Sequence, residues 1–220
     1  MPIHTSTDLL LRLHTLGYDN PTRDPWWWPN SGTFETAISA ILTQNTTWTS
    51  VEKSLENLEA HALLNPEDLA GTETSTLETL IRPSGYYRNK ARNLQAFSHV
   101  LLTDFGDFET FVSHVSREWL LARRGIGNET ADAILNYACY RETFVVDSYT
   151  ARLLEALGEG QNGYASVQAW MLDGVGTGCQ VVFPDLPLAQ CYARYHGMVV
   201  EYCKVNRTGS QIEVSLLENI

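Results

Sequence analysis

Lysine is nearly missing from the second half of this chain: residues 91–203 contain none. The four cysteines, Cys139, Cys179, Cys191 and Cys203, form no Cys-x-x-Cys pair, so neither a zinc site nor a disulfide framework is indicated. No apolar run reaches the roughly 18 residues that a membrane span needs. Met1-Pro-Ile-His does not open like a secretory leader, and a soluble cytoplasmic protein without a membrane partner is the expectation. Almost nothing reads as strand, so an all-α fold is expected. Positive charge is scarce as well, with 15 Lys and Arg against 26 Asp and Glu for a net −11, which weighs against a nucleic-acid partner at first sight.

What is present is distributed unevenly. Residues 51–80 hold seven acids and Lys53 alone as a base, whereas residues 81–100 hold Arg82, Arg88, Lys90 and Arg92 and no acid. An acidic outer face with one basic stripe is compatible with a polyanion on one side only. The 220 residues and a 44% hydrophobic share suffice for one large domain or two compact lobes.

Residues 116–152 carry the densest pattern. Ser116 is a good N-cap for a short helix with Trp119, Leu120 and Ala122 on its apolar side. Gly125-Ile126-Gly127 breaks that helix, and the glycines allow a tight hairpin at positive φ with Ile126 plugging inward. Asn128 is placed to cap a second helix in which Ala131, Ile134, Leu135 and Ala138 recur at helical spacing. Amides freed at such a hairpin and helix start make a phosphate site. Phe144-Val145-Val146 then leads to Asp147, at the head of another helix. Alone, Asp147 reads as a plain cap whose carboxylate is kept ionised by the helix dipole and nearby N–H donors.

The pattern Leu-x4-Gly-Ile-Gly-x2-Thr-Ala-x2-Ile followed by Phe-Val-Val-Asp resembles the helix-hairpin-helix, Gly/Pro-Asp superfamily of DNA glycosylases that includes endonuclease III. Two further segments match in the same order. Residues 33–45 form an apolar helix ending in Leu42-Thr43-Gln44-Asn45, and Gly85-Tyr86-Tyr87-Arg88-Asn89-Lys90-Ala91 resembles the family's Gly-Tyr/Phe-Tyr-x2-Lys-Ala. The resemblance covers residues 33–157 well and the ends poorly. It implies two helical lobes with a cleft between them: a six-helix lobe over residues 31–141, and a second over 1–30 plus 142–220. It further implies a double-stranded DNA partner carrying damaged bases. Asp147 would be the catalytic carboxylate facing the cleft and Gln44 the wedge filling the gap left by a flipped base. Arg88, Lys90, Gly125, Ile126, Gly127 and Thr130 would be DNA-binding positions. Relatives also bind a monovalent cation through hairpin carbonyls.

Two departures from the family pattern bear on chemistry. Bifunctional members carry a lysine two residues after the hairpin's second glycine, where this chain has Glu129; a carboxylate cannot form the Schiff base of a strand-cleaving lyase. Many members bind a four-iron cluster through Cys-x6-Cys-x2-Cys-x5-Cys, whereas Cys179, Cys191 and Cys203 lie twelve residues apart. Neither that cluster nor any protein-held metal site is expected, and Cys191 and Cys203 read as buried small residues. A member with neither feature most resembles the 3-methyladenine DNA glycosylase III branch.

Trp26-Trp27-Trp28 lies between prolines in a loop over residues 18–32. One reading is a plug packed in the interior; the other is an aromatic wall of a base pocket, which would attract a cationic methylpurine by cation–π contact worth ~1–2 kcal/mol. Lys204, at the end of a long helix from about Leu188 to Val205, is either a solvated helix terminus or a pocket residue that must be neutralised beside a cationic base. Gly174-Val-Gly-Thr-Gly lacks the Lys-Ser/Thr of a P-loop and reads as a linker. The expected function is a monofunctional glycosylase excising alkylated purines such as 3-methyladenine. A mismatch or oxidised-base glycosylase, or a non-catalytic helix-hairpin-helix DNA binder, is the competing reading. A monomer is expected, although no residue pattern specifies the oligomeric state.

Overall fold

A computed structural model describes residues 3–219 and is helical almost throughout; Met1, Pro2 and Ile220, the ends of the expected terminal lobe, lie outside the described residues. Among the described residues no helix is long and apolar enough to cross a membrane. The chain divides into two compact units, Gly32–Cys139 and a second built from Met1–Ser31 with Tyr140–Ile220. The terminal unit begins with α1 (Ser6–Thr15), capped by the Thr5 hydroxyl on the Asp8 amide. Thr7, inside the first turn of this helix, donates its hydroxyl to the Gly174 carbonyl.

The middle unit is organised on α2 (Phe34–Leu42), in which every residue except Glu35 is buried. A helix apolar all round has to be enclosed by others. The unit continues with α3 (Trp48–Glu59), α4 (Pro66–Gly71), α5 (Thr74–Leu80), α6 (Tyr87–Phe105), α7 (Phe108–His114), α8 (Arg117–Leu121) and α9 (Asn128–Ala133), with a π-helical turn over Ile134–Ala138 continuing α9; α3, α6, α9 and that turn pack against α2. Thr33, Thr47, Asn65, Asp107 and Ser116 each accept a first-turn amide as N-caps. Phe97, Phe105, Phe111 and Trp119 meet edge to face at centroid distances of 5.1–6.2 Å, the geometry the ring quadrupole favours.

The terminal unit continues with α10 (Ser148–Ala156), α11 (Tyr164–Leu172), α12 (Val175–Val182) and α13 (Leu188–Val205), then a two-stranded antiparallel turn of β1 (Arg207–Thr208) and β2 (Gln211–Ile212), and α14 (Ser215–Glu218). Helix α13 is its spine: Cys191, Tyr195, Met198, Val199, Tyr202 and Cys203 are buried in one core with Leu9, Leu10, Leu13, Phe144 and Leu153.

Two expectations from the sequence are corrected here. The Gly174–Gly178 stretch is no linker, since α12 runs through it. A Cβ at Gly178 would lie 3.1 Å from Thr7 and 3.2 Å from Leu10, so glycine is what lets α12 lie close against α1. The cysteines are not all free either: Cys179 of α12 and Cys191 of α13 form a disulfide. Twelve residues separate them, a spacing that follows no motif and becomes legible only once the two helices are seen to lie side by side.

Candidate active site

In the middle unit the hairpin between α8 and α9 is set by Gly125 at φ +81°. A Cβ there would sit 2.0 Å from Asn93 Nδ2, so the position needs both glycine's conformational freedom and its lack of a side chain. Ile126 is buried as expected. Gly127 has ordinary extended backbone (φ −96°, ψ −176°) and is itself the N-cap of α9. The expectation that Asn128 caps this helix is therefore corrected. Asn128 is the first helical residue, and its Oδ1 accepts from Arg117 at 3.0 Å. Arg117 also makes a bidentate pair with buried Asp132, at 2.8 and 3.0 Å, tying α8 to α9 across the turn. No side chain caps α9 at Gly127, and around that glycine a Cβ would meet open space.

Gln44 lies on the same edge. Its Nε2 donates to the Gly125 carbonyl at 2.8 Å and to Thr130 Oγ1 at 2.9 Å. The proposed wedge, the hairpin and Thr130 are thus one hydrogen-bonded group, and Thr130 is mostly buried within it. Glu129 is exposed.

The two basic candidates diverge. Arg88 is solvent-facing, 3.9 Å from Glu78 and 5.7 Å from the Tyr87 ring. Lys90 is buried and donates to the carbonyls of Leu42 (2.8 Å) and Ser84 (2.7 Å). Burial pushes its ammonium down to about 8. Lys90 therefore cannot serve as the phosphate contact that the resemblance implies. It satisfies the Leu42 carbonyl at the end of α2 and the Ser84 carbonyl in the 3-10 turn before α6.

In the terminal unit Asp147 is the N-cap of α10. One oxygen, Oδ1, accepts from the amides of Tyr149 (3.0 Å) and Thr150 (2.8 Å) and from Thr150 Oγ1 (3.0 Å). The other, Oδ2, lies 3.7 Å from Nε2 of His196 on α13. Burial alone would raise this carboxyl, but His196 and the Thr150 donors outweigh it and hold it below the ordinary carboxylate range. Cys203, one face further along α13, is pushed up to about 12 by burial and then by the Asp147 charge, so the thiol stays protonated.

The three tryptophans separate. Asp24 shapes their loop, its Oδ1 accepting from the Trp26 amide at 2.8 Å and from the Ser31 hydroxyl at 2.7 Å. Helix α13 holds the loop in place: Arg194 pairs with Asp19, Gln190 donates to the Pro25 carbonyl, and Arg23 pairs with Glu201. Trp28 is buried, which answers to the plug reading. Trp26 is half-buried and tilted against Tyr140 at 4.3 Å between centroids. Trp27, in the left-handed region at φ +66°, lies on α13 where Gly197 has no side chain; a Cβ there would be 2.3 Å from the indole. Its ring stands edge-on to His196 at 5.4 Å, and its Nε1 donates to Glu201 at 3.3 Å. Lys204 Nζ is 3.5 Å from Glu201 and 5.9 Å from the Trp27 ring centroid, so it borders the aromatic site already paired with a carboxylate.

Sequence reasoning missed His196, Gly197 and Tyr140. The visible signal for the first two was an adjacent histidine and glycine, His196-Gly197, in the middle of a long helix, where each carries a cost.

The family model described as the HhH-GPD superfamily of base excision DNA repair proteins matches residues 38–168. A protein of Methanocaldococcus jannaschii provisionally named a DNA repair glycosylase is 34% identical over 186 residues, covering 81% of this chain and 80% of its own length. The structure of a 3-methyladenine DNA glycosylase of H. pylori bound to 1,N6-ethenoadenine superposes with a TM-score of 0.89 at 40% identity, over 93% of this chain and 100% of that one. A non-covalent endonuclease III–DNA complex superposes with a TM-score of 0.72 at 21% identity, over 98% of this chain and 95% of the other, a likeness of fold.

Proposed function

The chain belongs to the HhH-GPD superfamily of base excision DNA repair proteins, and from that premise we propose that it is a monofunctional DNA glycosylase that hydrolyses the N-glycosidic bond of alkylated purines, 3-methyladenine among them. The observation that carries the reading is the state of Asp147. One of its oxygens is saturated by helix-cap donors, and the other points to the aromatic side of α13 where Trp27 lies. Such a carboxylate is rigid, ionised and directed, as electrostatic stabilisation of a sugar cation requires.

The chemistry follows from the leaving group. An N3-methylated purine carries a positive charge in DNA. When the C1′–N bond breaks, its electron pair goes to the base, which leaves neutral, and the sugar becomes an oxocarbenium ion. Water adds at C1′ and its proton passes to Asp147 or to solvent. No strong acid is needed to protonate the leaving base. The face of Trp27 favours the cationic base before departure, and Glu201 holds the indole by its Nε1. In the same reading Gln44, anchored on Gly125 and Thr130, occupies the stack after the nucleotide is flipped. The hairpin amides and Arg88 meet the phosphates.

Glu129 is exposed at the position of the lyase lysine, which supports hydrolysis without strand cleavage. The cysteines do not fit an iron–sulfur cluster. Cys179 and Cys191 are bonded to each other, and Cys203 is buried against the Tyr149 carbonyl at 3.9 Å, so no step is assigned to such a group. The 40%-identical structural neighbour, a 3-methyladenine DNA glycosylase, supports the substrate class.

The test is release of labelled 3-methyladenine from alkylated duplex DNA. Wild-type protein is expected to release it, Asp147→Asn to lose the activity, and borohydride to trap no covalent protein–DNA adduct. Excision of uracil, thymine or oxidised bases but of no methylated purine would move the protein to another branch. Tight binding with no base released would make it a DNA-binding protein only.

A further inference from the structure

We propose that His196 is the positioning residue for Asp147: the imidazole on α13 fixes the place of the second carboxylate oxygen, the one left to face the sugar. The inference rests on the glycosylase reading above. Its geometric basis is the division of labour between the two oxygens. Three donors fix Oδ1 to the helix, which leaves Oδ2 as the oxygen able to face a substrate, and Oδ2 has the imidazole as its neighbour. At 3.7 Å the imidazole nitrogen stands next to this oxygen and contributes to holding the carboxyl below the ordinary carboxylate range.

The ring is held where it is. His196 is 3% exposed and stands perpendicular to both Trp27 (5.4 Å, 88°) and Phe144 (6.1 Å, 90°). Phe144 precedes Asp147 by three residues, so the same imidazole touches the segment that delivers the carboxylate and the indole expected to face the base. The other groups near Asp147 are engaged elsewhere. On α10, Tyr149 and Thr150 present amides and a hydroxyl to Oδ1, and Arg152 is turned onto Ser148 and the Tyr149 ring. On α13, Cys203 is kept protonated by burial and by the Asp147 charge.

The test is single-turnover release of 3-methyladenine from alkylated duplex DNA with wild type, His196→Gln, His196→Leu and Asp147→Asn. His196→Gln keeps an N–H donor near Oδ2 and is expected to stay within about threefold of wild type. His196→Leu is expected to lose about tenfold or more in the excision step, with DNA affinity unchanged. A His196→Gln variant as slow as His196→Leu would overturn the proposal, as would a His196→Leu variant with wild-type rates.

A second readout does not depend on activity. The 13C signal of the Asp147 carboxyl should titrate at higher pH in both histidine variants than in wild type, and an unchanged titration would also overturn the proposal. If His196→Leu does not fold, His196→Gln and the carboxyl titration still decide. Absence of excision by wild type would count against the glycosylase reading alone, because the carboxyl titration judges His196 separately.

Discussion

Gly197 is the residue on which the aromatic site turns. It stands where Trp27 presses on α13, and a Cβ there would lie 2.3, 2.5 and 2.7 Å from three indole carbons. Gly197→Ala should therefore displace the indole, lose excision by tenfold or more, shift tryptophan emission, and destabilise the protein by about 1–3 kcal/mol as overpacking does. Asp147→Asn should behave in the opposite way. Asparagine caps a helix about as well as aspartate, so stability should change by less than about 1 kcal/mol while excision is lost. The Asp147 carboxyl also carries a pH signature. Its folded-state value lies below the ordinary one, so its contribution is fully present above the ordinary carboxylate range and is lost as pH falls toward the folded value. Acid titration of thermal stability should be flatter in Asp147→Asn.

At this scale the sequence was partly legible. Asp147 could be read as a cap and, through the motif around it, as more than a cap, because both roles depend on neighbours in sequence. Lys90 was misread: a lysine in a basic stretch looks solvated until its neighbours across the unit prove to be the Leu42 and Ser84 carbonyls. His196 went unnoticed since its partner, Asp147, is distant in sequence.

Among the elements, the helices with caps and a clear apolar period were readable from residue spacing alone; α13 spans the range that spacing indicates. Helix α12 was not, because glycines at 174, 176 and 178 signal a loop, and only the close approach to α1 explains the glycine at 178. The disulfide joining α12 to α13 closes a loop of 12 residues. Cys179→Ser should lower stability by about 2–4 kcal/mol, and a reductant should produce the same loss in wild type and none in the variant, as read by thermal melts. Lys90→Met would leave two buried carbonyls without their donor, at a cost of about 1–3 kcal/mol, with the salt dependence of DNA binding unaltered.

For the whole molecule, a net charge of −11 and a polyanionic partner are reconciled by placement. Of the four bases in residues 81–100, Arg82, Arg88 and Arg92 are exposed and Lys90 is not, so three positive charges face solvent there. Recognition by few cations should give a shallow salt dependence. Arg88→Ala should reduce the slope of log affinity against log salt by about one, with stability unaffected, the converse of Lys90→Met.

The terminal unit is assembled from both ends of the chain. Synthesis delivers residues 3–31 well before α13, yet α13 supplies Arg194, Gln190, Glu201 and Gly197, against which the tryptophan loop is set. The hairpin unit has all of its residues within Gly32–Cys139 and can mature as it emerges, since domains generally fold as units during synthesis. A nascent chain halted before Leu188 would thus carry a formed hairpin unit beside a tryptophan loop still without its support.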